Sequence, residues 1–261
     1  MIDLQYIRSF FPTSIAQNPV FDKQMIKEYL QLLILNHLSE SEYASRLAFI
    51  GGTNLRLIRH IDRFSEDLDF DCHMLSEDDF MALTDDIVAF LQKHGLHVET
   101  RDRKNERLTA YRRNLYFPQL LFDLQLSGHR DERFLIKMEA QDQGVAYQPQ
   151  TSMVMGCGFV FPIQTPPDGV LCAMKISALL SRRKGRDFYD VMFLLGQGIE
   201  PDYEFLKARC GIADKESLRQ AMLQVTAETN LEQKMHDFEH MLFVPENNKR
   251  VLYFPDFIRN W

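Results

Sequence analysis

Long apolar segments are scarce in this sequence. The run Leu32–Leu35 is followed at once by Asn36 and His37, and no stretch approaches the roughly 20 apolar residues that a membrane helix needs. Residues 1–8 lack the basic-then-apolar order of a secretion signal. We therefore expect a cytoplasmic protein that does not bind membranes.

Cysteines are few, and basic residues are outnumbered by acidic ones. The four cysteines, at positions 72, 157, 172 and 210, form neither a CxxC pair nor a zinc-type spacing, and we expect reduced thiols. The formal net charge of the 261 residues is −7, whereas proteins that coat nucleic acid non-specifically are usually positive. A local basic patch remains compatible with an RNA substrate.

The composition is that of an ordinary globular protein, with 45% hydrophobic and 26% charged residues. Helical and strand-like spacings alternate up to residue 165, and the spacing is helical thereafter. The predicted fold class is therefore α+β (mixed α/β), with a mostly antiparallel sheet followed by a helical C-terminal part. We place the boundary at Pro166-Pro167, which gives domains 1–165 and 166–261.

Hydrophobic spacing, caps and turn residues locate the individual elements. Strands are predicted at Leu47–Ile50, Asp67–Asp71, Leu96–Thr100, Thr109–Phe117, Leu120–Leu126, Phe134–Glu139 and Phe159–Ile163. Helices are predicted at Asp22–Glu40, Thr53–His60, Ser76–His94, Asp168–Arg183, Arg186–Leu195, Tyr203–Ala208, Lys215–Ala227 and Leu231–Leu242.

The most informative segment joins a double glycine to an acidic strand. Gly51 and Gly52 lie between a short buried strand and a helix, where exposed backbone N–H groups attract phosphate. Asp67, Asp69 and Asp71 alternate with apolar residues, so their carboxylates share one face of a strand. Close carboxylates repel each other unless a cation lies between them, and oxygen ligands beside phosphate favour Mg²⁺. Together these features predict a nucleotidyl-transfer site.

Each half of this segment also has a simpler interpretation. A Gly-Gly turn between a strand and a helix is common, and Asp-Leu-Asp often belongs to a solvated edge strand. The combination, with Arg63 and Ser65 between the two parts, favours the functional interpretation. We expect Asp71 to lie at the end of the strand.

A second group of charged residues lies in the helical part. Lys175, Arg182 and Arg186 are spaced by 7 and 4 residues, which places them on one face of a continuous helix. Such a cationic ridge can meet triphosphate oxygens, and Asp187 and Asp190 can pair with it or order it. Gly185 is a potential break in that helix.

These two motifs resemble the AbiEii/AbiGii toxin family of nucleotidyltransferases, in the DNA polymerase β superfamily. The first motif consists of Gly51-Gly52-Thr53 followed by Arg63-x-Ser65-x-Asp67-Leu68-Asp69-Phe70. The second consists of Lys175-Ile176-Ser177-Ala178, Arg182, Arg186-Asp187 and Asp190-Val191, in which the valine is a mild departure from the family pattern.

The resemblance implies a role for each matching residue. Asp67 and Asp69 would bind Mg²⁺ or Mn²⁺, and Lys175 and Asp187 would contact the nucleotide or act in catalysis. The turn implied to face the nucleotide phosphates consists of Gly51, Gly52 and Thr53, and we also expect Ser65, Arg182 and Arg186 to contact the nucleotide. A third carboxylate often comes from a later strand in this superfamily; Glu139 is preferred here and Asp123 is the alternative. Both also fit the polar face of a strand.

The implied activity is transfer of a nucleoside monophosphate from an NTP to an acceptor hydroxyl. By family analogy the acceptor is RNA, such as a tRNA 3′ end, and the enzyme is the toxin of a toxin–antitoxin or phage-defence pair with a cognate antitoxin. The basic stretch Arg101–Arg113, with Tyr111 and Tyr116 close by, favours RNA. Two alternatives remain: an enzyme that modifies a small antibiotic-like molecule or a protein, and an inactive nucleotide-binding or regulatory module.

Overall fold

A computed structural model describes residues 2–101 and 110–261. The chain forms two compact units. The first extends to His60 and continues through residues 64–144 and 150–165; the second contains residues 61–63, 145–149 and 166–261. The main division of the chain therefore falls between Thr165 and Pro166, and two short segments from the first 165 residues belong to the second unit.

The first unit contains a mixed sheet that has five strands within the described residues. Its strands are β1 Leu47–Ile50, β2 Asp67–Cys72, β3 Glu99–Thr100, β4 Tyr111–Tyr116 and β5 Leu135–Gln141. Their order is β1-β2-β5-β4-β3; β2 and β5 are parallel, and the other neighbours are antiparallel. Two further strands, β6 Gln150–Gly156 and β7 Phe159–Thr165, pair as a hairpin. The predicted mostly antiparallel α+β fold is confirmed.

Alternation along the central strands separates a core face from a polar face. Leu68 and Phe70 of β2 are buried, and so are Ile136, Met138 and Ala140 of β5. The residues between them carry the charged groups, because successive side chains of a strand point to opposite sides. The predicted division of β2 into an acidic face and an apolar face is confirmed.

Helices complete the first unit. They are α1 Leu4–Arg8, α2 Thr13–Ala16, α3 Asp22–Ser39, α4 Gly51–Leu57, α5 Glu77–Lys93 and α6 Leu120–Asp123, with short 3₁₀ turns at Pro19–Phe21 and Ala44–Arg46. Helix α3 buries Met25, Ile26, Leu30 and Ile34 completely, which explains its apolar composition. The predictions of α3 and α5 are confirmed to within one residue at each end. In α5 the first predicted residue, Ser76, is the N-cap.

Two strand predictions in this unit need correction, and one strand was missed. The predicted strand Leu120–Leu126 is wrong, because the chain forms helix α6 after the left-handed residue Gln119 (φ 59°). Short apolar runs fit both periods, so spacing alone could not separate the two structures. The predicted strand Leu96–Thr100 is reduced to Glu99–Thr100, and the strand β6 was not predicted.

The second unit is helical. Its helices are α7 Asp168–Arg182, α8 Gly185–Gly196, α9 Tyr203–Cys210, α10 Lys215–Ala227, α11 Leu231–Met235 and α12 Phe254–Asn260, with 3₁₀ segments at Glu239–Met241 and Pro245–Tyr253. The predicted helix Leu231–Leu242 is correct only as far as Met235. None of the helices in residues 2–101 and 110–261 combines the length and the hydropathy that a membrane-spanning helix requires.

The junction between α7 and α8 corrects the predicted cationic ridge. Arg183 is left-handed (φ 53°, ψ 41°) and ends α7, so Lys175, Arg182 and Arg186 do not lie on one continuous helix. Gly185 begins α8, where a Cβ atom would overlap the backbone carbonyl of Lys234. The glycine is therefore needed for a close backbone approach rather than for the break itself.

The cap of α5 provides a stability test. The Ser76 hydroxyl accepts the Asp79 N–H at 3.0 Å, and the Asp79 carboxylate accepts the Ser76 N–H at 3.2 Å. We expect Ser76→Ala to lower the free energy of unfolding by about 1 kcal/mol, because an orphan N–H loses its partner. Ser76→Asn, which keeps an acceptor, should be close to wild type in urea denaturation. Equal stability of all three proteins would contradict a contribution from the cap.

Candidate active site

The acidic face of β2 presents the predicted metal ligands. Asp67 and Asp69 are half-buried and separated by the buried Leu68, so their side chains emerge on the same side of the strand. Asp71 follows on this face but is 7% exposed, and its carboxylate accepts the Gln143 N–H at 3.0 Å. That contact gives Asp71 a role in holding the loop after β5.

Strand β5 brings Lys137 and Glu139 beside these aspartates. The parallel register places Lys137 opposite Asp67 and Glu139 opposite Asp69. The Lys137 Nζ atom lies 3.1 Å from Asp67 Oδ2 and 3.1 Å from Glu139 Oε2. Burial alone would lower the pKa of Lys137, but the charges of Asp67 and Glu139 outweigh it and raise that pKa above its ordinary value.

Strand β4 contributes a second cation on the same face. Arg112 lies opposite Glu139 in the antiparallel β4–β5 register, and its guanidinium group contacts Glu139 Oε1. We call Asp67, Asp69, Lys137, Glu139 and Arg112 the charged sheet face. Sequence analysis missed Lys137 as a site residue, because its position follows from strand register rather than from a motif.

A close backbone approach fixes Gly51 beside Asp69. Gly51 has φ +82°, and a Cβ atom there would lie 2.9 Å from the Asp69 Cβ and overlap the carboxylate. Two contacts fix the segment: the Thr53 hydroxyl donates to the Asp67 carbonyl at 2.5 Å, and the Asn54 side chain donates to the Phe49 carbonyl at 2.7 Å. Thr53 is fully buried, so its hydroxyl holds the double-glycine turn against β2.

The donor set of the charged sheet face fits a divalent cation of the magnesium type. Mg²⁺ is usually held by one or two carboxylates together with substrate phosphates, and Asp67 and Asp69 supply two carboxylates on one face. Across the described ranges 2–101 and 110–261, no group of three or more His, Cys, Asp or Glu residues is arranged to hold a metal. Phosphate oxygens would therefore have to complete the coordination shell, because both oxygens of Glu139 contact cations of the protein.

The two candidates for a third carboxylate occupy different environments. Glu139 lies in register with Asp69, whereas Asp123 is exposed on α6.

Ser65, expected to contact the nucleotide, is half-buried, and its carbonyl accepts a hydrogen bond from Gln31 at 3.1 Å. Gly52 is also half-buried.

A buried ion cluster lies within the second unit. The Lys175 Nζ atom donates to Asp190 at 2.8 Å, and the Arg63 Nε and Nη2 atoms donate to the same carboxylate at 2.8 Å each. Arg63 and Asp190 are both 1% exposed. Burial would raise the pKa of Asp190, but the charges of Arg63 and Lys175 hold it below its ordinary value; burial lowers the pKa of Lys175. Sequence analysis missed the pairing of Arg63 with Asp190, which are 127 positions apart.

Asp187 is bound at the junction between α7 and α8. Its carboxylate accepts hydrogen bonds from the Nε and Nη2 atoms of Arg182, the shortest at 2.7 Å, and one from the Lys184 N–H at 3.0 Å. Asp187 is completely buried, while Arg186 is half-buried on the first turn of α8. Asp187 thus caps α8, and Asp190 is the carboxylate that contacts Lys175.

The predicted basic stretch is described only in part. Arg103, Lys104 and Arg107 lie outside the described residues. Arg101 stacks over the Tyr116 ring at 3.7 Å, and Arg113 contacts Asp85. Arg112 is paired with Glu139.

Comparison with solved structures shows that the fold is that of nucleotidyltransferase toxins. MenT4, a nucleotidyltransferase toxin from Mycobacterium tuberculosis H37Rv, aligns with a TM-score of 0.57 and 15% identity over 100% of this chain and 91% of MenT4. JHP933 from Helicobacter pylori aligns with a TM-score of 0.53 and 15% identity over 91% of this chain and 90% of its own. Comparison with curated protein sequences finds no match.

The sequence itself matches a family over residues 33–257, described as nucleotidyl transferase AbiEii toxin, type IV toxin–antitoxin system. The chain therefore belongs to the AbiEii nucleotidyltransferase toxin family and is a nucleotidyltransferase enzyme. Membership implies an NTP substrate and a cognate antitoxin. The family resemblance inferred from the two motifs is confirmed.

The close approach of Gly51 to Asp69 can be tested with a matched glycine. Gly95 has a similar φ of +79°, but no described atom lies within 4 Å of its Cβ position. Alanine at either position incurs the left-handed strain of about 1–2 kcal/mol, whereas only Gly51→Ala must also displace Asp69. In urea denaturation, Gly51→Ala should lose at least about 1 kcal/mol more than Gly95→Ala. Equal losses would show that the approach has no energetic consequence.

The burial of this ion cluster predicts that two arginines of the second unit differ strongly in their contribution to the free energy of unfolding. Arg63→Met leaves a buried carboxylate with one cation fewer, and we expect a loss of about 3–5 kcal/mol in the free energy of unfolding. Arg250, 54% exposed and 3.4 Å from Asp62, is the surface control. Arg250→Met should cost about 1 kcal/mol or less. Similar losses in chemical denaturation would contradict the importance of burial.

Proposed function

We propose that this enzyme transfers a nucleoside monophosphate from an NTP to the hydroxyl of an RNA, with a tRNA 3′ end as the favoured acceptor, in a reaction that requires Mg²⁺ or Mn²⁺. The observation that carries the proposal is the Asp67/Asp69 pair on one face of β2, with Gly51 held against Asp69. The new bond joins the acceptor oxygen to the α-phosphorus as pyrophosphate leaves.

Each motif residue has a proposed role. Asp67 and Asp69 would hold the divalent ion, which when bound neutralises triphosphate oxygens during transfer. Gly51 and Gly52 would let a phosphate approach the backbone, since neither carries a Cβ. Lys175 would neutralise the charge that develops on the leaving pyrophosphate, and Asp190 holds its ammonium in place.

The remaining motif residues have supporting roles in this proposal. Asp187 orders the start of α8 through Arg182, and Arg186 on the same turn would attract phosphate. Glu139 is the candidate third carboxylate. The Arg101 guanidinium group, exposed and stacked on the buried Tyr116 ring, supports an RNA acceptor, because it offers a positive charge to a nucleic acid backbone.

Labelling of RNA tests the proposal. Wild-type protein is incubated with each α-³²P-labelled NTP, Mg²⁺ and total RNA, and the products are separated into RNA, protein and small-molecule fractions. We expect label in RNA, reduced roughly a hundredfold or more by Asp69→Asn because the ligand charge is lost. Asp71→Asn is the matched control on the same strand and should leave labelling essentially unchanged.

Other distributions of label would contradict the RNA proposal. Label in the protein or small-molecule fraction, lost in Asp69→Asn, would show a nucleotidyltransferase with a different acceptor. Label in RNA that persists in Asp69→Asn would remove this carboxylate from the site. No label in any fraction, with NTP binding retained in calorimetry, would indicate a nucleotide-binding module.

A further inference from the structure

Lys137 occupies the space between two carboxylates of the charged sheet face. Its ammonium lies at the same distance, 3.1 Å, from an oxygen of Asp67 and an oxygen of Glu139. The Lys137 side chain is only 25% exposed, so solvent screens these contacts in part. The ammonium therefore lies where a cation shared by the two carboxylates would bind.

Strand register, rather than chance side-chain placement, produces this position. Lys137 is directly opposite Asp67, and Glu139 lies two residues further along the same face of β5. Arg112 contacts the other oxygen of Glu139 from β4. Both oxygens of Glu139 are thus matched with cations that belong to the protein itself.

We propose that Lys137 is a built-in competitor of the divalent ion at this site. Its ammonium and the ion exclude each other between Asp67 and Glu139, so Glu139 becomes available as a ligand only when Lys137 moves away. This inference rests on the proposed metal-binding role of Asp67 and Asp69. Lysine suits such a function, because it is a point charge on a flexible four-carbon stem.

The consequence concerns when the ion binds. In the resting enzyme Asp67 and Asp69 attract the ion, Lys137 repels it, and Glu139 is paired with Lys137 and Arg112. A triphosphate brings oxygens that can accept hydrogen bonds from the displaced Lys137 ammonium group, which has three N–H donors. The ion and the nucleotide are therefore expected to bind together rather than independently.

A purely structural salt bridge makes a different prediction. Partly exposed ion pairs contribute little to stability, so loss of a structural Lys137 would change the unfolding midpoint slightly and leave metal affinity unchanged. The two interpretations therefore separate in a measurement of metal binding that involves neither NTP nor RNA.

The experiment titrates Mn²⁺ into the full chain and follows free Mn²⁺ by electron paramagnetic resonance. We expect Lys137→Met to bind Mn²⁺ at least about tenfold more tightly than wild type, because repulsion between close, partly buried charges is weakly screened. Lys137→Arg, which keeps the charge, should remain near wild type. Lys23→Met removes the same charge from a Lys–Glu pair with Glu132 and is the control for net charge.

A second variant locates the effect. Adding Glu139→Gln to Lys137→Met should abolish the gain in affinity, because the released carboxylate is then absent. Thermal melting checks that every variant is folded.

Four results would overturn the proposal: unchanged or weaker Mn²⁺ binding in Lys137→Met, an equal gain in Lys23→Met, a gain that persists when Glu139→Gln is added to Lys137→Met, or no detectable binding in Lys137→Met and wild type alike. Because the titration contains no NTP or RNA, a failed labelling experiment leaves its result intact, and the two failures are distinguishable.

Discussion

The parallel pairing of β2 with β5 is the interaction on which the candidate site depends. Its register places Asp67 beside Lys137 and Asp69 beside Glu139, and so determines which charges meet. The apolar faces of the same strands, with Leu68, Phe70 and Met138 buried, hold this register, because a shift by one residue would move every charge into the core. Packing on one side of the sheet thus fixes the electrostatics on the other side.

The charged sheet face and the buried ion cluster of the second unit differ in how far their charged groups are buried. On the charged sheet face, half-buried carboxylates are matched with half-buried cations, an arrangement that can exchange partners with a metal ion or a phosphate. In the second unit, Asp190 is 1% exposed and receives hydrogen bonds from both Arg63 and Lys175. Such a buried carboxylate requires its cations, and it orients the lysine that the family motif singles out.

Local features of the sequence predicted much of the fold and the motif residues. The alternation of Asp67–Asp71 and the capping box at Ser76 depend on neighbours within a few positions, and both are present in the structure. Contacts between distant positions could not be predicted in this way. The pairing of Arg63 with Asp190 spans 127 positions, and the contact of Lys137 with Asp67 depends on register. The break between α7 and α8 lies at a left-handed arginine, a conformation that residue type alone does not indicate.

The proposed function depends most on the role of Asp67 and Asp69 as ligands of the divalent ion beside the nucleotide. Anomalous diffraction from crystals grown with Mn²⁺ and a non-hydrolysable nucleoside triphosphate would locate that ion directly. We expect an anomalous peak within coordination distance of both carboxylates, absent in crystals of Asp69→Asn. A bound nucleotide with no Mn²⁺ peak beside Asp67 and Asp69 would contradict this role.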